Sequence, residues 1–544
     1  MVLGAEQFPE CINPITSCAN SSWMHWAVTE HVLPRLMELA PDGSYVPSPL
    51  LTGDPVLAGA GVDDSGDPFT VIYSLDPDAN WSTGGPITCT DIAFTWQATL
   101  DTTGTLTTVG FEDITSVEAT DDDGKECLVT FGRAYAGWAD LFGSSSNYVL
   151  SAADSEVGAS FDIEDPDATP MDIANELNTE IPYSGGPFVL ESFDAAGGEA
   201  TFIRNESMWN EDRMALLDGF TVVAQADQET ELNALLAGEV AAIYPQPAPG
   251  IADTLGGGST VEFQFGAGTT YEGLWFNQQS LLNPDTVLAE QAVREALLFA
   301  VDREAILSEV ITPNFPETEL LQCGGWVPTV GPWCDQTDFA DATFDAARVA
   351  EILEGDGWAL GADGIYEKDG RRLSMTWQTV AGNARREAIQ ALVIPALAEL
   401  GIEVTADNSD ADTLFQVRLP QMQTELMLYA QVASPDPSVT TIFACDNIPT
   451  AENEFSGQNN VGWCNEEASQ LMLEADETPE EAARLELTQQ IGDLVREDAV
   501  WLPFYQLPLI TAWDTAQVEG PVGEYTDSPL SGFFNIFDWS VPAG

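Results

Sequence analysis

Few residues in this chain have the type and spacing that catalysis demands. Its two histidines, His25 and His31, lie in WMHWAVTEHVLPRL, too far apart to share a helical face at i,i+4, and no glutamate completes a metal-binding helix there. Both read as surface or hinge histidines. Gly143-Ser144-Ser145-Ser146-Asn147 is not a Gly-x-Ser-x-Gly elbow, and no glycine-rich phosphate loop occurs. Asp121-Asp122-Asp123-Gly124 lacks the alternating ligands and distal glutamate of a calcium loop, and reads as a hairpin turn. Carboxylate pairs could be drawn anywhere among 89 acids, so they discriminate nothing. The expectation is no enzyme, no cofactor and no metal.

Cysteine chemistry is better patterned. Cys11/Cys18, Cys323/Cys334 and Cys445/Cys464 are close pairs around loops rich in Pro, Gly, Asn or Thr, and Cys89 and Cys127 remain as a pair by elimination. An even count without Cys-x-x-Cys fits disulfides formed outside the cytoplasm, with connectivity left open by sequence. Aromatic chemistry points to binding. Fifteen tryptophans include Trp23, Trp275, Trp326, Trp333 and Trp463 beside polar or glycine neighbours. Large rings give apolar contact at low entropic cost and commonly line clefts, although any single tryptophan more often packs in a core.

Those residues need elements to position them. The run 271–307, YEGLWFNQQSLLNPDTVLAEQAVREALLFAVDREAIL, reads as a strand ending in an exposed Asn277, a polar loop and two helices. Val293, Ala296, Leu297 and Ala300 fall on one face of the first helix, while Asp302 caps a second that starts at Arg303 and buries Ile306. A helix is expected from about Ser22 to Leu39, strands at 69–75, 188–193 and 200–205, and helices after Cys89, at 344–357 and at 385–400. Thr478-Pro479-Glu480-Glu481 should cap another, running to about Asp498. Alternating strands and helices through the second half predict α/β layers.

Composition narrows the partners. Sixteen basic residues against 89 acidic ones give a net charge of −73, which repels nucleic-acid phosphates and anionic lipid. The acids are spread along the whole chain, as on a solvated surface suited to salty surroundings, so they speak of habitat more than of cargo. No apolar run is long enough to span a bilayer. MVLGAEQFPEC lacks the regions of a signal peptide, so Met1 reads as the start of a mature domain whose export signal was removed.

Several ordered motifs resemble one family. Val293, Arg294, Ala296, Leu297, Ala300, Asp302, Arg303 and Ile306 match "VR-x-A-L-x-x-A-x-DR-x-x-I" of the extracytoplasmic substrate-binding proteins of peptide/nickel ABC importers. Gly185, Gly186, Pro187, Phe188, Arg204, Asn205 and Trp209 resemble a second signature of that family. Asn459 to Asn465 resembles its cleft-facing "N-x-x-G-Y/W-x-N" loop. The resemblance covers nearly the whole chain. It implies an α/β, two-lobed periplasmic-binding-protein-like fold of type II, from the large cluster with an inserted extra domain. Residues 1–50, 185–267 and 508–544 would form lobe I, 51–184 the smaller insertion and 268–507 lobe II.

The same resemblance implies an extracytoplasmic solute receptor, cell-surface or periplasmic and monomeric. It would hand a small molecule or short peptide to ABC permease subunits. Trp23, Trp275, Asn277, Tyr429, Asp436 and Trp463 would face the ligand. Peptide-binding members commonly hold the ligand's α-ammonium with an aspartate three residues before an Asp/Glu-Pro pair; here the pair is Asp436-Pro437 and the earlier residue is Ala433. The loss of that charged anchor makes a free-amine peptide a less secure cargo. A non-peptide solute or metallophore is the alternative within the class, and a secreted hydrolase the alternative outside it.

Overall fold

The strand TYEGLWF, Thr270–Phe276, is buried along its whole length, and the molecule is organised around where it leads. It lies between Leu426–Val432 and Trp501–Gln506, antiparallel to both, in a five-stranded sheet completed by Ser374–Gln378 and Glu403–Ala406. With neighbours on both edges and both faces covered, it needs no polar alternation. A register shift between Glu272 and Gly273 lets Trp501 lie over the strand; a Cβ on Gly273 would stand 2.6 Å from the Trp501 ring.

The structure is a computed structural model. It describes residues 1–544 except 6–7, 17–27, 41–42, 64, 144–146, 226, 330, 412, 434–437, 454, 456, 527–530 and 543–544. A second, seven-stranded sheet gathers segments from far apart in the chain. Its order is Val261–Gly266, Leu509–Asp514, Ala242–Ile243, Val2–Ala5, Gly219–Ala224, Glu199–Arg204 and Phe188–Asp194. The fold is two-lobed and α/β, with one of these mixed sheets at the centre of each lobe. A four-stranded sheet, Val56–Ala58, Thr70–Ser74, Glu126–Phe131 and Ile114–Ala119, packs with the helix Cys89–Asp101. That helix opens on a reciprocal cap between Thr88 and Asp91, and Cys89–Cys127 ties it to the sheet.

The chain passes between the two large sheets at two adjacent places. Gly266 pairs with Leu509 on one side, Tyr271 with Gln506 on the other, and the Leu507 amide donates to the Thr270 carbonyl at 2.7 Å. Between them, Gly268 has φ +26°, and its carbonyl accepts from Thr329 Oγ1 at 2.6 Å and from Gln506 Nε2.

Helices at Gln291–Ala300, Ala346–Gly355, Ala384–Glu399 and Glu481–Glu497 lie where the sequence predicts them. Three expectations are corrected. The helix expected from Ser22 to Leu39 is, in its described part, a single 3-10 turn, Thr29–His31, followed by the strand Met37–Leu39. His31 is not at the surface: it is buried, with Phe188, Phe202 and Phe220 edge-on to its ring. The cap of Glu481–Glu497 is Glu480, whose carboxylate accepts from the Ala482 and Ala483 amides, because Thr478 turns back to the Glu474 carbonyl of the preceding helix.

Candidate functional site

The signature arginines are framework. Arg294 donates to the main-chain carbonyls of Leu288, Ala289, Asp498 and Ala499. Arg303 does the same for Leu321, Phe339, Ala342 and Pro503. Burial pulls both guanidinium groups down to about 10, so they stay charged at neutral pH. Asp302 accepts from the Ala305 amide at 2.9 Å, the cap its position predicted. The motif's two arginines are therefore buried and tie main-chain carbonyls from separate segments to the helix pair.

Asn277 corrects the expectation of an exposed strand end. It is 0 % exposed, donates from Nδ2 to the Thr424 carbonyl at 3.0 Å, and accepts from the Gln279 amide at 3.0 Å. Trp463 is likewise spent internally, its indole N–H donating to Asp498 at 2.9 Å, where Asn465 also donates. Asn459 closes the same loop by donating to the Ala444 and Trp463 carbonyls. These residues hold the site's shape and keep their polar groups inside the protein. Replacing Asn277 with Ala should lower stability by about 1–3 kcal/mol, the cost of orphaning buried partners. A thermal melt would show this, with ligand affinity changed much less than stability.

The aromatic residues do meet. Trp275 stacks on Trp501 with centroids 4.4 Å apart and on Tyr429 at 5.5 Å, while Phe443 links Trp275 to Trp463. Phe415, on the turn of π-helix Thr413–Arg418, sits edge-on to Tyr429 at 6.1 Å. Exposure rises outward along this ladder, from 0 % at Trp501 and 2 % at Trp275 to 8 % at Tyr429 and 41 % at Phe415. Trp275, Tyr429 and Trp463 thus belong to one face, whose solvent-facing tip, Phe415, sequence reasoning missed. Trp326 and Trp333, read as loop aromatics, are buried in the core. Trp23, His25 and Asp436 lie outside the described residues. Ala433 donates its amide to the Thr269 carbonyl at 3.0 Å.

A pocket of about 210 Å³ opens between the lobes beside the two crossings. Residues 227–228 and 246–248 line it from the seven-stranded side and 380–385 from the other. One lining residue, Arg385, belongs to a buried charge cluster. Glu272 takes Arg385 Nη2 at 2.7 Å, Arg386 Nε at 2.8 Å and the Tyr505 hydroxyl at 2.7 Å. Burial pushes the Glu272 carboxyl up, but the two guanidinium charges and these hydrogen bonds outweigh it and hold it at about 2. The sequence signal for this cluster was one acid inside an otherwise apolar strand. Its partners lie more than a hundred residues away and could not be read locally.

Disulfides join Cys323 to Cys334 and Cys445 to Cys464, as their spacing suggested; Cys18, expected to pair with Cys11, lies outside the described residues. Among the described residues no group of three or more His, Cys, Asp or Glu is arranged to hold a metal ion, and no helix is long and apolar enough to cross a membrane.

Residues 53–449 match the family described as bacterial extracellular solute-binding proteins, family 5. A probable monoacyl phosphatidylinositol tetramannoside-binding protein, LpqW of Mycobacterium tuberculosis, is 28 % identical over 34 % of this chain, and the match spans only 26 % of that relative's length. The oligopeptide-binding protein OppA of the same organism is 23 % identical over 97 % of this chain and 82 % of its own. Among solved structures, the periplasmic EDTA-binding protein EppA superposes with a TM-score of 0.85 at 20 % identity, covering 100 % of this chain and 96 % of that one, which is a likeness of fold.

Proposed function

We propose, from the premise that this chain belongs to the family 5 bacterial extracellular solute-binding proteins, that it is the receptor of an ABC importer for a peptide or peptide-like small molecule. The family is one of binding proteins, so no reaction is assigned. In this reading residues 1–50, 185–267 and 508–544 form one lobe, 268–507 the other, and 51–184 an insertion. Ligand enters between them, the lobes close about the crossings near Gly268, and the loaded monomer docks on the permease outside the cytoplasm.

One observation carries the reading: among the described residues the chain passes between the two large sheets at two adjacent places, with a pocket lined from both sides beside them. A ligand held there touches both lobes only when they close, so it shifts the population toward the closed form. Tyr429, backed by Trp275 and continued by Phe415, lies outside that pocket's lining and would extend the ligand surface with an apolar face. Trp23 and Asp436 are contacts proposed from sequence. The relatives' names span oligopeptides and a glycolipid, and the fold neighbour's a metal chelator, which sets the range of cargo to test.

Native mass spectrometry of freshly purified protein should find a bound small molecule, and adding it should lower the radius of gyration. A thermal-shift comparison of peptides with their N-acetylated forms then reads the chemistry of Ala433. Acetylation is expected to change the apparent affinity by less than about tenfold, since the charged hydrogen bond it would destroy has no aspartate acceptor there. A larger loss restores the free-amine peptide as cargo. If peptides and chelates alike leave both the melting temperature and the radius of gyration unchanged, the receptor reading fails.

A further inference from the structure

Sixteen basic residues must serve the whole chain, yet two of them converge on the single buried carboxylate of Glu272, beside the crossings. Glu272 and Tyr505 lie on the two strands that emerge from those crossings, next to Tyr271 and Gln506 respectively. One glutamate does not need two arginines to be neutralised. Arg385 Nε and Nη2 grip it at 3.2 and 2.7 Å, which leaves Nη1 over, and Nη1 donates to the carbonyl of Pro247 in the opposite lobe. Arg386, by contrast, serves Glu272 alone among the described residues.

A second bond runs in parallel. Asn383 Nδ2 donates to Gln246 Oε1 at 3.3 Å, while its own Oδ1 caps the helix Ala384–Glu399 by accepting from the Arg386 amide at 3.1 Å. The side chains on one rigid helix start thus reach two consecutive residues of the other lobe. At the far side the lobes also touch: a Cβ on Gly61 would stand 2.8 Å from Pro479 Cδ, and Arg133, gripped by Asp113, reaches Glu477 at 2.9 Å.

We infer that Arg385 is a positioning residue: a latch that sets the closed register of the lobes and biases the ligand-free protein toward closure. The inference rests on the hinged-receptor reading. Glu272 supplies the preorganisation. It fixes the guanidinium plane so that Nη1 is already aimed at the Pro247 carbonyl, and closure orders no further side chain there. The fork geometry is what lysine lacks, since an ammonium offers a point charge and no plane. Opening the lobes leaves Arg385 bound to Glu272 and removes only the cross-lobe bond, so the latch tunes the balance without dissolving the cluster.

Small-angle scattering of the dialysed, ligand-free protein tests this with four variants. Arg385→Gln and Asn383→Asp should raise the radius of gyration, with the closed-to-open ratio falling about tenfold for Arg385→Gln, as expected for losing a charged hydrogen bond. Asn383→Asp keeps the helix cap, so it folds even if Arg385→Gln does not. Arg386→Gln should melt earlier but keep the wild-type radius. Pro479→Trp wedges the far contact and must open any hinge.

If the wedge opens the molecule while Arg385→Gln and Asn383→Asp do not, the latch is wrong and the hinge stands. If Arg386→Gln expands the protein as much as Arg385→Gln, Arg385 is only structural. If even the wedge leaves the radius unchanged, the receptor reading itself falls.

Discussion

Replacing Glu272 with Gln is expected to lower the unfolding temperature of the lobe that holds it by roughly 10 °C, equivalent to about 3–5 kcal/mol. The carboxylate is fully buried and answers Arg385, Arg386 and the Tyr505 hydroxyl. Glutamine has nearly the same shape, so little packing is lost. What is lost is the negative charge between two buried positive ones, and the new amide N–H group faces donors instead of acceptors. Removing one member of a buried charged cluster costs far more than the cluster itself contributes, because the survivors stay desolvated.

Tryptophan fluorescence would follow the change, since Trp275 and Trp501 stack three and four positions from Glu272 and Tyr505 on the same strands. Acid separates this mechanism from a packing defect. Glu272 is held at about 2, below its ordinary value of 4.5. A carboxyl with a depressed folded value contributes in full above the unfolded value and loses that contribution as pH falls toward the folded one. The gap between wild type and Glu272→Gln should therefore stay constant from pH 7 to about 4.5 and narrow below it. A gap that is constant down to pH 3 would mean that charge is not what the substitution removed.

That cluster also marks the limit of what the chain discloses. Periodicity located the helix Gln291–Ala300 and its buried face, and Asp302 revealed its own cap, because both are decided within a few residues. The stretch from Ser22 to Leu39 misled for a local reason that was visible: Pro34 sits inside it, and an interior proline removes a helical hydrogen bond and clashes with the preceding turn. Thr478 misled for a subtler one. Its hydroxyl had two helices to choose from and took the carbonyl behind it, leaving Glu480 to cap the helix ahead.

Burial was the hardest property to read. Asn277, Trp275 and Trp463 have the composition of a cleft, but whether a ring faces ligand or another ring depends on strands that pair across more than 150 residues. Phe415 shows the converse. Nothing local distinguishes it from a core phenylalanine until the π-helical turn lifts it out beside Tyr429.

Raising sodium chloride from about 0.01 to 1 M should raise the unfolding temperature by roughly 10 °C or more, as the Debye length contracts from about 30 to 3 Å. In a protein held by surface ion pairs, salt screens attraction and the same titration would be flat or falling. Here the cations are already used up. Each of the sixteen basic side chains is engaged internally. Arg294, Arg303 and Lys125 hold main-chain carbonyls, Arg484 lies over Trp333 and donates to the Thr478 carbonyl, and the rest pair with acids. Most of the 89 acids therefore meet other acids across solvent, and folding brings them closer than they stand in the extended chain.

The screening account can be told from a general strengthening of apolar burial. Screening saturates within the first few hundred millimolar and is the same for chloride and sulfate at equal ionic strength. Exclusion of salt from the surface keeps growing with concentration and favours sulfate. Changing ten exposed acids to their amides should shift the low-salt melting temperature upward and flatten the curve. If those amides leave the curve unchanged, repulsion among the acids is too weak to limit folding, and the charge of this protein serves solubility instead.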